Sequence, residues 1–259
     1  MDGDVQAWKA SLAALYAMTC GDRPLGPVEG CPCCVSPGEA RALHHVARES
    51  APAEAIGRFA FKAMTTWGEP REFRWFLPRV LELMAIEQVG ALCFEIVAGK
   101  ILSAGFAAWP ESELEVVRAA FAALFRLRLG GGARVEAIDL AASCALLGVD
   151  LRPLLEELAL RALDDAAAAE VYVELAESVV CRQGAPVAAA AAPATGAAHG
   201  RAAAAEAALS GFFWSEPTLA HVERLFFRFS DGRLGERLSL VAQCLELAGD
   251  AGGLPGAGP

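Results

Sequence analysis

The stretch Arg71-Glu72-Phe73-Arg74-Trp75-Phe76-Leu77-Pro78-Arg79-Val80-Leu81-Glu82-Leu83-Met84-Ala85-Ile86-Glu87 decides the fold class. Phe73, Trp75, Phe76, Leu77, Val80, Leu81, Leu83 and Met84 make it apolar almost all round. A helix of that pattern belongs inside a core, not on its surface. Pro78 lacks a backbone donor, so a break or kink is expected there.

Working outward, the same helical text recurs. Upstream, Ser50-Ala51-Pro52-Ala53-Glu54 opens a helix with Ile56, Phe59, Ala60 and Ala63 on one side, and Gly68-Glu69-Pro70 ends it. Ser36-Pro37-Gly38-Glu39 carries a serine cap, a first-turn proline and a glutamate three residues on, so a helix is predicted from there to about Glu49. Trp8, Leu12, Leu15 and Tyr16 mark one face of a helix over about residues 4–19. Downstream, helices are predicted over roughly 91–103, 111–129, 133–147, 151–180, 217–229 and 234–247. Gly130-Gly131-Gly132 stops one of them, and it lacks the lysine and serine of a phosphate loop. Residues 184–200 form an Ala/Pro/Gly tract without a bulky core residue. The expected organisation is a main helical domain over 1–183, a linker or insertion over 184–200, C-terminal helices over 201–248 packing on the main domain, and a disordered tail over 249–259. Phe76-Leu77-Pro78-Arg79-Val80-Leu81-Glu82-Leu83 and Leu151-Arg152-Pro153-Leu154-Leu155-Glu156-Glu157-Leu158 echo each other, each suggesting the start of a second hairpin member. The predicted class is all-α, either an irregular helical array or a HEAT-like α-solenoid.

Composition agrees and narrows the functions. Of 259 residues, 55% are hydrophobic, but alanine inflates that figure and favours helix. A net charge of −10 argues against nucleic-acid binding, which needs lysine and arginine to neutralise phosphates, and against docking on anionic lipid. The longest apolar stretch, 89–109, holds Glu95 and Lys100 near its centre, at a cost of about 2.5–3.5 kcal/mol each on insertion scales. A membrane span is therefore not expected. The acidic N-terminus does not suit a secretory signal, and the expected compartment is the cytosol, where thiols stay reduced.

Chemistry concentrates at Cys31-Pro32-Cys33-Cys34, with Cys20 upstream and His44-His45 downstream. Cys-x-x-Cys spacing lets two thiolates converge on one soft ion, and Cys20, Cys31, Cys33, Cys34, His44 and His45 are the candidate metal ligands, for zinc in particular. The same spacing serves redox dithiols beside a helix N-terminus, but the βαβ context of thioredoxin-like motifs is missing. A loop packed for structure alone is the plainer alternative. Cys93, Cys144, Cys181 and Cys244 are scattered singly through apolar helical text, and Cys144 and Cys244 resemble small core residues. Phe73, Trp75 and Phe76 with Arg71, Arg74 and Arg79 could stack on bases, although core packing with flanking solvated arginines explains them better.

Phe61-Lys62-Ala63-Met64-Thr65-Thr66-Trp67-Gly68, followed by Phe73-Arg74-Trp75-Phe76-Leu77-Pro78-Arg79-Val80-Leu81-Glu82-Leu83, resembles a segment of an uncharacterised family of bacterial proteins. That family has a Cys-Pro-x-Cys loop upstream, here Cys31-Pro32-Cys33-Cys34, and the resemblance covers about residues 30–85. It implies no activity. It does imply that the loop and the Thr-Thr-Trp-Gly helix end belong to one surface, and Trp67, Arg74 and Arg79 are the candidate binding residues. With no assembled active site legible, the leading expectation is a protein-interaction module, an adaptor, partner subunit or immunity-type binder whose partner is another protein, and an enzyme whose pocket is assembled from distant helices around Trp67, Arg74 and Arg79 is a third class left open. The alternative is a zinc-binding or thiol-redox protein using the 31–34 cluster.

Overall fold

A computed structural model describes residues 2–89, 92–133, 135–181, 206–215 and 217–250. Among them the chain is helical, with isolated bridges and no strand. The helices are α1 (Asp2–Met18), α2 (Pro37–His44), α3 (Ala53–Lys62), α4 (Pro70–Ala85), α5 (Phe94–Ser103), α6 (Glu111–Leu129), α7 (Ala137–Leu146), α8 (Arg152–Ala162), α9 (Ala166–Ala176), α10 (206–213), α11 (Pro217–Arg228) and α12 (Gly232–Asp250). No helix among the described residues is long and apolar enough to cross a membrane. The predicted linker at 184–200 and most of the predicted tail lie outside the described residues.

The helices form an irregular array and not a regular solenoid. In a solenoid each repeat touches only its neighbours. Here α1 lies along α6, and Asp4 on α1 receives two hydrogen bonds from the Arg161 guanidinium on α8, at 2.7 and 2.9 Å. The echoed segments confirm the difference. Phe76–Leu83 falls inside α4, whereas Leu151–Leu158 opens α8, which is the first member of the α8–α9 hairpin. Helix α12 packs against α9.

Helix α4 is central, as its composition predicts: Phe73, Phe76, Leu77, Val80, Leu81, Leu83 and Met84 are buried. It runs unbroken through Pro78, whose ring is itself buried among apolar neighbours. One missing backbone hydrogen bond is tolerable where burial on both sides holds the helix together. Helix α2 is shorter than predicted and stops at His44. The chain then turns extended at Ala47 and enters a 3-10 turn, Arg48–Ser50, which buries Arg48. That guanidinium stacks 3.8 Å from the Trp75 ring and donates to Thr19 Oγ1, Tyr16 O and Trp75 O, so one buried cation ties the end of α1 to α4. The predicted helix over 151–180 is two helices, separated at Asp165, whose carboxylate caps α9 by accepting from Ala167 N at 2.8 Å.

Candidate functional site

The cysteine loop is built from backbone upward. Cys31 N donates to Thr66 O, and Gly68 N donates to Glu29 O, both at 2.7 Å. These two bonds pair 29–31 with 66–68 as a short antiparallel bridge centred on Gly30 and Trp67. Gly30 is needed there, because a Cβ would stand 2.8 Å from Val35 Cγ2 and 3.2 Å from Thr66 O. Gly68 has φ +71°, and a Cβ would meet Val28 at 2.9 Å. Val28 and Val35 are buried on either side of the turn. Cys34 N and Val35 N both donate to Cys31 O at 2.9 Å, which winds Cys31–Val35 into one tight turn. Serine and glutamate then close the capping box of α2: Ser36 Oγ accepts from Glu39 N, and Ser36 N donates to the Glu39 carboxylate at 2.8 Å.

That turn gathers three thiols at the surface. Cys31 Sγ lies 2.9 Å from Cys33 Sγ, which lies 3.6 Å from Cys34 Sγ, and all three sulfurs fall within 4.8 Å of one another. They are close enough to share one metal ion. Hydrogen bonding from Cys33 holds the Cys31 thiol below its ordinary pKa, while Cys33 is pushed up to about 11 by the same bond to Cys31. Lys62, at the end of α3, donates to Cys34 O at 2.5 Å and brings a positive charge to the turn.

Cys20, His44 and His45, the other predicted ligands, do not join this group. Cys20 begins an exposed 3-10 turn after α1, His44 is the last residue of α2, and His45 follows it as an exposed C-cap. The two histidine rings pack edge-on at 5.3 Å. Because α2 ends at His44, neither imidazole sits mid-helix as predicted.

Trp67, Arg74 and Arg79 do not form an exposed binding surface. Trp67 is 2% exposed and stacks edge-on with Phe59, which in turn packs on Phe76. It is the bolt that fastens the cysteine loop to the core. Arg74 pairs with Asp22 at 2.9 Å and Glu113 at 2.8 Å and stacks on Trp109. Arg79 donates to Ala51 O and Glu82. These arginines are internal clasps and not the solvated flanks that the sequence suggests.

Several residues that shape the molecule escape sequence reading. Asp139 on α7 accepts from Phe94 N and Glu95 N and caps α5 from outside. Burial raises its carboxyl pKa against the pull of those two amides. Glu174 on α9 likewise accepts from Ala137 N at the start of α7 and from Arg128. Lys100 on α5 donates to Ala63 O at the C-terminal end of α3, with its pKa lowered by burial. Gly30 was available as a signal, since a glycine directly before a tight cysteine turn marks close backbone approach. Comparison of the chain with family models, curated proteins and solved structures finds no match.

Proposed function

We propose that the chain is a helical metal-binding protein that holds one thiophilic ion, Zn2+ foremost, between Cys31, Cys33 and Cys34. The observation that carries this reading is the convergence of three thiols on one backbone-clamped turn. Two thiolates sharing a tetrahedral zinc at about 2.3 Å stand roughly 3.8 Å apart. The Cys33–Cys34 separation of 3.6 Å is close to that, and Cys31–Cys33 at 2.9 Å must open by under about 1 Å. Three thiolates and a divalent ion leave one negative charge, which the Lys62 ammonium and the N-terminal end of α2 oppose. Three protein ligands at the surface leave a fourth position for water or an exchangeable ligand, unlike the closed four-ligand sites that only support a fold. Metal must displace thiol protons, so affinity rises with pH.

Elemental analysis of the full chain, purified without chelator, tests this. About one zinc per chain, lost in Cys31→Ser with the helical content unchanged, is the expected result. Zinc retained by that variant, or none bound by a chain whose thiols are all titratable, rejects it.

Interaction with another protein is a second reading, favoured by Leu25 and Phe61, which are 92% and 61% exposed on the loop and helix that flank the triad. A partner captured by the wild-type chain and lost by a Leu25→Glu/Phe61→Glu double variant supports it. A partner retained by that variant removes these residues from the account.

A further inference from the structure

We infer that the Cys31, Cys33 and Cys34 triad also captures trivalent arsenic, taking arsenous acid into a three-coordinate tris-thiolate adduct. The inference rests on the reading of the triad as one ion site and adds a class of solute that fits it.

The turn matches a centre that makes three bonds. The sulfurs of Cys31, Cys33 and Cys34 all lie within 4.8 Å of one another, and among the described residues no fourth histidine, cysteine or carboxylate ligand atom meets all three. Zinc fills a tetrahedron and takes its fourth ligand from solvent here, whereas trivalent arsenic is complete with three sulfurs and a lone pair. Spacing separates the two in the same direction. An arsenic–sulfur bond is about as long as a zinc–sulfur bond, but the angles of a pyramidal centre are narrower than tetrahedral, so its sulfurs stand about 3.4 Å apart and not about 3.8 Å. The Cys31–Cys33 and Cys33–Cys34 separations of 2.9 and 3.6 Å lie on either side of the pyramidal figure, and both fall short of the tetrahedral one. Charge agrees as well. Three thiolates cancel a trivalent centre, so an adduct at the surface needs no counter-ion.

The turn is also prepared for the reaction. Cys31 N is held by Thr66 O, and Cys31 O accepts from Cys34 N and Val35 N. Backbone bonds therefore fix Cys31 and Cys34, while Cys33 stands exposed between them. Once one sulfur is attached, the other two attack within the same molecule at high effective concentration. At each step one thiol sulfur bonds to arsenic and one arsenic–oxygen bond breaks. The thiol proton leaves with the departing hydroxyl as water. Three thiols and one arsenous acid give one adduct and three waters, arsenic stays trivalent, and no electron is transferred. No thiolate has to be present beforehand, because each hydroxyl carries off the proton.

The test reduces the full chain with a phosphine, which brings no competing thiol, and titrates it with arsenous acid under native mass spectrometry and a parallel thiol assay. Wild type is expected to gain the mass of one arsenic less three hydrogens and to lose three titratable thiols. Cys33→Ser keeps two thiols of the triad, and its affinity for arsenous acid is expected to fall on the order of 100-fold. Cys33→Ala is the second variant should the serine disturb the turn. Phenylarsine oxide, whose arsenic takes only two thiols, is expected to bind the variant as it binds wild type. An adduct that consumes two thiols, or one kept at wild-type affinity by both Cys33 variants, would overturn the three-coordinate assignment. One zinc per chain without any arsenic adduct rejects this inference and leaves the ion site standing. Neither zinc nor arsenic bound, in a chain whose thiols all titrate, rejects both.

Discussion

Cys31, Cys33 and Cys34 come from one turn, stand at the surface and are positioned by backbone hydrogen bonds to 66–68. Cys181 and Cys244 come from elements far apart in the chain, are half-buried, and are positioned by the Arg237 clasp between two helices. A third kind, Cys144, is fully buried beside Phe121 O, and burial alone pushes its thiol pKa far up. The difference teaches that one residue type takes its chemistry from its support. A turn that crowds thiols in water favours an ion, whereas burial between helices or in a dry core raises a thiol's pKa and works against thiolate chemistry.

The comparison can be broken most severely at Trp67. Trp67→Ala removes a buried indole that holds the loop on Phe59, and it is expected to cost about 3–5 kcal/mol in urea unfolding. Metal binding should fall with it. Trp67→Phe keeps the ring contact, and the indole N–H makes no hydrogen bond that the change would break, so its cost should be clearly smaller. Gly30→Ala is the finer cut. Its methyl group meets Val35 and Thr66 O, so about 1–3 kcal/mol is expected, together with at least a tenfold weaker affinity for zinc.

Asp4 sharpens the comparison from outside both sites. The Arg161 hydrogen bonds hold its carboxyl below the usual carboxylate range. A lowered pKa contributes stability that is complete above the unfolded value, near 4, and is lost as pH falls through the folded value. Asp4→Asn should therefore cost about 1–2 kcal/mol at pH 7. The gap to wild type should close in unfolding series taken toward pH 2, with zinc binding unaltered. A gap that does not change with pH would remove the ion pair from the explanation.

The sequence makes the local features of this molecule readable and leaves the distant ones hidden. The capping box at Ser36 and Glu39, the buried character of α4 and the crowding of Cys31–Cys34 each depend on residues a few positions apart. The starts of α5 and α7 were expected near 91 and 133 but lie at Phe94 and Ala137. Their caps are Asp139, 45 positions from Phe94, and Glu174, 37 positions from Ala137. No propensity can reveal a cap supplied from another helix. Glu69 and Glu72 form a second capping box at α4, a local signal masked by reading Gly68-Glu69-Pro70 only as a stop. Trp67, Arg74 and Arg79 were expected at a surface because aromatic and guanidinium groups also make binding sites. Their burial and ion pairs are set by tertiary partners such as Asp22 and Glu113.

Chelator-competition titration of zinc into the full chain tests the central claim most directly, comparing wild type with Cys31→Ser, Cys33→Ser, Cys34→Ser, Cys20→Ser and a His44→Ala/His45→Ala double variant. The three-thiol site predicts one ion per chain, a loss of at least about 100-fold in affinity for each triad variant, and wild-type affinity for the Cys20 and histidine variants. Wild-type affinity in the Cys31, Cys33 and Cys34 variants, or a loss confined to Cys20 and the histidines, would contradict it.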